Sequence, residues 1–191
     1  MREFYLFLAD EVNTVSMEIK NKQLKHALTY GAIIGSTIVF YELLLYIFGM
    51  TNNKTLENVS LFLFVLGVFI TVRRFRELES GGFISFKNAF LLGFLTCIFI
   101  GAIGAIFSYF QFKYMSPHLI DEMMEVAQEN LLNKGIPDDQ VELQTRIMES
   151  ILKPGFISVI SFFGSLLSGS IMSVIVAVLL KRDENPLLKS E

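Results

Sequence analysis

One cysteine, Cys97, in 191 residues leaves no intramolecular disulfide and no multi-cysteine metal site, and it gives no reading of redox compartment. Proline occurs four times and never inside a long apolar run, so no run is visibly broken. Charged residues make up only 18% of the chain against 52% hydrophobic, with a mean hydropathy of +0.52. That balance excludes a disordered chain and an ordinary soluble one. The formal charge of −3 and pI near 5.5 leave no basic footprint for nucleic acid. Soluble catalytic signatures are also missing: there is no His-Glu-x-x-His, no Gly-x-Ser-x-Gly and no Walker-type loop. Gly81-Gly82 lacks the strand-to-helix pattern that such a phosphate loop needs. With no nucleophile and base to pair, the chain is expected not to be an enzyme, and no cofactor, metal or small-molecule ligand is implied.

What the chain has instead is apolar length. Residues 27–50 contain one charge, Glu42, while 89–112 and 155–180 contain none. At ~1.5 Å per helical residue each of these can cross a hydrocarbon layer of roughly 30 Å. A fourth stretch, 56–72, is short, but Glu57 lies at its end, where a carboxylate reaches the headgroup layer. The expected fold is therefore all-α: one four-helix integral membrane bundle over 27–182, between a lead, 1–26, and a tail, 183–191.

Within the lead, 1–16 differs in composition from 17–26, with six apolar residues, 4–9, before Asp10 and Glu11. This is too short for a signal-peptide core. Two readings stand: a gene-model extension, with the mature chain starting at or near Met17, or a short interfacial helix resting Phe4, Tyr5 and Phe7 on lipid.

Four spans put the lead, the segment between spans two and three, and the tail on one side. These segments carry Arg2, Lys20, Lys22, Lys25, Arg73, Arg74, Arg76, Lys87, Lys181, Arg182 and Lys189, eleven of the 16 cations. Lys and Arg are retained on cytoplasmic flanks, so both termini are expected in the cytoplasm of a bacterial inner membrane, with Arg73, Arg74, Arg76, Lys181 and Arg182 as anchors. Tyr46, Tyr109 and Tyr114 then fall at the opposite interface.

The outer segment, 113–154, holds eight Asp or Glu against four Lys or Arg. Ser116-Pro117 starts a helix, Ile120, Met123 or Met124, Ala127 and Leu131 keep helical spacing, and Gly135 stops it. Pro137 opens a second helix through Val141, Thr145, Met148 and Ile151 or Leu152, up to Pro154. A polar helical hairpin with one apolar face per arm is predicted, folded on itself or on the membrane surface. Asp121, Glu122, Glu125 and Glu129 are spaced as a solvated helix face and not as a calcium loop.

Glu42 is the ionisable group well inside a span, which makes it a candidate intramembrane polar site. It shares a helix face with Gly31 and Gly35, a Gly-x-x-x-Gly pair, which points it into the bundle. Ser158, Ser161, Ser165 and Ser168 repeat at helical spacing in the last span, and Gly101, Gly104, Gly164 and Gly169 add small-residue surfaces. The hydroxyls suit a wet pathway, but small residues equally serve close helix packing, the blander reading. His26 and His118 fall at opposite membrane sides and read as solvated interfacial residues.

The run Arg73-Arg74-Phe75-Arg76-Glu77, then Gly81-Gly82-Phe83-Ile84-Ser85-Phe86-Lys87-Asn88-Ala89-Phe90 leading into a span, resembles the bacterial membrane family catalogued as domain of unknown function 4199. The order of two spans, basic connection, third span, acidic hairpin and last span ending in Lys181-Arg182 is similar as well. The resemblance covers about 17–182 and implies a four-span protein typical of Bacteroidota. It implies no activity and transfers no catalytic residue. The expectation is an interaction or accessory subunit, with the lipid bilayer and a homo- or hetero-oligomer as partners, the oligomer contacts being made by the small-residue faces. The alternative is a small proton- or cation-coupled transporter using Glu42 and the serine stripe.

Overall fold

The structure, a computed structural model, describes residues 2–50 and 54–182, with side chains except at 2–16, 18, 54, 57 and 138. Six α-helices succeed one another: α1 (Arg2–Ile47), α2 (Lys54–Leu78), α3 (Phe86–Phe110), α4 (His118–Asn133), α5 (Asp138–Ile151) and α6 (Pro154–Leu180), with one π turn, Gln111–Met115, after α3. Among the described residues there is no strand, only a single antiparallel bridge between Ile84 and Arg182. Four stretches, Ile19–Ile47, Asn58–Leu78, Phe86–Met115 and Pro154–Leu180, are long and apolar enough to cross a membrane. The chain is a multi-pass integral membrane protein.

Helix and apolar stretch do not coincide: α1 stops at Ile47 and α3 at Phe110, short of residues 50 and 112, while α1 begins and α2 ends well outside theirs. α2 continues to Leu78, so Arg73, Arg74 and Arg76 form its last turns instead of a connecting loop. The cause is a buried stripe of Val68, Thr71, Val72 and Phe75 at helical spacing, which keeps one face packed while Arg73 and Arg74 stay exposed. α1 is one helix from Arg2, and the orientation of Phe4, Tyr5 and Phe7 lies outside the described side chains, as Lys189 lies outside the described residues.

One compact unit comprises Met1–Ile100 with Leu166–Glu191 and draws on all four long helices. Its core holds Ala27, Val68, Val72, Phe75, Ala89, Leu92, Cys97, Val176 and Ala177. Glycines set how closely the helices approach. A Cβ at Gly31 would stand 2.7 Å from Phe99 Cβ and 3.1 Å from the Thr96 carbonyl, and one at Gly169 would stand 2.6 Å from Cys97 Cβ. At Gly67 it would meet Ile34, and at Gly93 the side chain of Ser173. Buried hydroxyls between these helices are satisfied without water, since Thr71, Thr96 and Ser173 donate to the carbonyls of Gly67, Leu92 and Gly169 at 2.7–2.8 Å. Without such bonds a hydroxyl in a dry interior is costly. Ile33, Phe40, Phe62, Leu167 and Ile171 are exposed, as residues facing lipid must be.

The other unit, Gly101–Ser165, contains the end of α3, the hairpin and the start of α6. Lys113 donates to the Tyr109 hydroxyl at 2.7 Å and lies over the rings of Tyr109 and Tyr114, an amphipathic cluster suited to a headgroup layer. The hairpin forms as its punctuation predicts: Gly135 takes φ +70° after α4, and the Pro137 carbonyl accepts from the Gln140 and Val141 amides at the start of α5. The arms contact each other, and Ile120, Met124, Ala127, Leu131, Val141, Thr145, Met148 and Leu152 on them are all half-buried. A second apolar set is unused by that contact: Leu143, Ile147 and Ile151 at i, i+4, i+8 on α5, with Met123 and Val126 on α4, are all exposed.

Candidate functional site

The candidate residues fall in both units. Glu42 is half-buried and engaged with a neighbour, and Gly35 is buried on the same helix. Ser158 and Ser165 donate to the carbonyls of Pro154 and Phe162, one turn back on their own helix, at 2.7 Å each. Ser161 and Ser168 are exposed. A Cβ on Gly101 would displace the Ser165 hydroxyl and touch Phe162 at 3.5 Å, while a Cβ on Gly104 or Gly164 would meet nothing within 4 Å. In the Gly101–Ser165 unit an apolar cleft of about 470 Å³ opens beside these positions, walled by Ala105, Tyr109, Val159 and Phe163.

The densest polar construction lies elsewhere, at the basic end of the first unit. Gly81 and Gly82 adopt φ of +59° and +88°, which an L side chain rarely takes, and so turn the chain sharply after α2. The turn delivers Ile84, buried, to Arg182 beyond α6, where two backbone hydrogen bonds of 2.9 and 3.0 Å close the bridge. Ser85 caps α3, its carbonyl accepting from the Ala89 amide at 3.0 Å. Arg76 donates to the Leu180 carbonyl at 3.2 Å, satisfying an orphan acceptor at the end of α6, where a cation also suits the helix dipole. The Arg182 guanidinium lies 5.4 Å over the Phe83 ring.

His26 completes the construction and corrects the expectation of a solvated residue. It is 8% exposed, lies 4.4 Å from the Tyr30 ring and 5.2 Å from that of Phe75, and bonds through Nδ1 to Glu79 at 2.8 Å and through Nε2 to the Thr71 carbonyl at 3.2 Å. Both neighbours are acceptors, and a neutral ring can donate to one of them only. The burial follows from helix phase: Gln23, Ala27, Gly31 and Gly35 recur every four residues and are all buried, so the glycine face runs about one turn beyond the apolar run and carries His26 with it. That continuation is a signal in the sequence, masked because Gln and His interrupt the hydrophobic pattern. His118 is exposed. Among the described residues no three His, Cys, Asp or Glu group so as to hold a metal ion.

The family model described as "Protein of unknown function (DUF4199)" matches residues 29–182, most of the chain. The chain belongs to the DUF4199 family. No curated protein and no solved structure matches it. The stretch matched by the DUF4199 model contains the Gly81–Gly82 turn, the Ile84–Arg182 bridge, Thr71 and Glu79, whereas Gln23 and His26 precede it. The Gly-Gly-x-Ile-Ser segment that carries the resemblance thus has a structural meaning: two left-handed positions, one buried bridge residue and one helix cap.

Proposed function

We propose that this protein is an interaction or accessory subunit of a bacterial inner-membrane assembly, with the outer hairpin as its contact. The observation that carries this reading is the row Leu143, Ile147 and Ile151, of which Leu143 and Ile147 are 61% and 50% exposed on a hairpin that lies beyond the spans. Exposed apolar side chains are ordinary within a span, where lipid covers them, but a contiguous row outside the spans marks a surface that something covers. A membrane surface suits it poorly, because helices that lie on lipid carry Lys and Arg on their polar face, whereas 113–154 holds eight acids against four bases. A protein partner is the occupant that fits. The transporter alternative has less behind it: the hydroxyls of Ser158 and Ser165 donate to carbonyls of their own helix, and no proline interrupts a spanning helix.

Purification from the native membrane, with copy number and partners identified, tests this together with two substitutions. Ile147→Glu is expected to lose the co-purifying partner at least tenfold while the yield of folded protein stays unchanged, because the row contributes nothing to the hairpin's own contact. Glu42→Gln keeps size and hydrogen bonding and is expected to leave the assembly and any growth phenotype intact. A fully assembled but inactive Glu42→Gln protein would favour ion coupling, since a site that exchanges a proton or cation needs the charged state.

A further inference from the structure

We propose that the basic end of the first unit holds a binding site for a phosphate group, seated between Gln23, Arg182 and the N-terminus of α3. A pocket of about 380 Å³ opens there, and Lys22, Gln23, Glu79, Ser85, Asn88 and Arg182 all contribute to its wall. Gln23 is the decisive residue. It is 1% exposed, and its amide nitrogen has no hydrogen-bond partner in the fold. A buried donor left without an acceptor is destabilising, and native proteins rarely tolerate one without a use. Rotation of the amide about its soft terminal torsion turns that nitrogen toward the pocket, where an acceptor supplied from outside the chain removes the cost.

The rest of the wall selects what that acceptor is. Arg182 and Lys22 bring two cations, and Glu79, the one carboxylate among the described residues of the wall, is already bonded to His26 at 2.8 Å. The guanidinium needs no ordering on binding, because the Ile84 bridge fixes its backbone and the Phe83 ring lies beneath it. α3 is 25 residues long and opens at this wall, so its first-turn amides and dipole add to the cations; the Asn88 amide reaches Ser85 Oγ only at 3.4 Å. Two cations and a helix N-terminus in one wall suit the higher negative charge of a phosphate better than a single carboxylate. The device is unlike a Gly-rich loop, since Gly81 and Gly82 serve here to deliver Ile84 and Ser85. The phosphate belongs either to a lipid headgroup or to a free phosphate species; both present the same oxygens.

The full chain, purified in detergent, is heated in inorganic phosphate and in chloride at equal ionic strength, and separately in nanodiscs of phosphatidylglycerol and of phosphatidylcholine. Saturable elevation of the unfolding midpoint by inorganic phosphate is expected, with the apparent affinity falling about tenfold or more in Gln23→Leu and in Arg182→Gln. Elevation in phosphatidylglycerol alone, abolished by the same substitutions, supports the site and assigns it to a headgroup. In chloride, Gln23→Leu should unfold no lower than wild type, because it removes an unpaired donor at nearly constant volume. A lower midpoint for that variant in chloride, no elevation with either probe, or an elevation that survives both substitutions overturns the proposal.

Discussion

Gly31→Leu should strongly destabilise the folded protein. The side chain would begin 2.7 Å from Phe99 Cβ and 3.1 Å from the Thr96 carbonyl, and neither is the yielding tip of a flexible chain. Helices α1 and α3 would have to separate, with loss of the packing that Ala27 and the neighbouring buried residues make. Overpacking in a close-packed interior costs roughly 1–3 kcal/mol per site, and a clash against backbone belongs at the upper end, about 3 kcal/mol. Gly31→Ala should cost less, about 1–2 kcal/mol, since only the Cβ must be accommodated. Gly104→Ala is the control: nothing lies within 4 Å of its Cβ, so the change should be neutral or slightly favourable through helix propensity. Unfolding by titration with SDS in mixed micelles, followed by circular dichroism, reads all three. Equal loss for Gly31→Ala and Gly104→Ala would mean that the close approach at Gly31 contributes nothing to the fold.

His26→Ala should cost about 3 kcal/mol, close to the value for truncating a buried aromatic, because the ring fills the space between Tyr30 and Phe75. The substitution also removes the hydrogen bonds to Glu79 at 2.8 Å and to the buried Thr71 carbonyl at 3.2 Å. Two companions separate the contributions. His26→Phe restores volume without the hydrogen bonds and should recover about half of the loss. Glu79→Gln retains an acceptor for the ring and, on a side chain that is one-third exposed, should cost about 1 kcal/mol or less. The same SDS titration measures these. If His26→Ala unfolds like wild type, the histidine is not part of the structure that ties α1 to α2.

The spans were legible because crossing a membrane demands apolar length, a property of contiguous sequence. The hairpin was legible for a different reason: Ser116-Pro117, Gly135, Pro137 and Pro154 are local backbone punctuation, and the helices begin and end beside them. What remained hidden depends on residues distant in the chain. Nothing near Ile84 announces that its amide and carbonyl pair with Arg182, and nothing near His26 names Glu79 and Thr71 as partners. The second apolar row on α5 was missed because Leu143 and Ile147 lie among Glu142, Arg146 and Glu149, so the arm read as having one apolar face. The role of Gly31 in close approach was legible, but its neighbour Phe99 was not.

Which side of the membrane each end occupies decides where a protein partner or a phosphate can reach the chain. Single cysteines at Gly82 and at Glu129, introduced in a Cys97→Ala background, can be probed on intact cells with a membrane-impermeant thiol reagent and again after permeabilisation. The account predicts labelling at position 129 in intact cells, and at position 82 only once the membrane is opened, because clustered Lys and Arg are retained on cytoplasmic flanks and Arg73, Arg74, Arg76, Lys181 and Arg182 cluster at that end. Labelling of position 82 in intact cells, with position 129 protected, would place the hairpin inside and contradict the account.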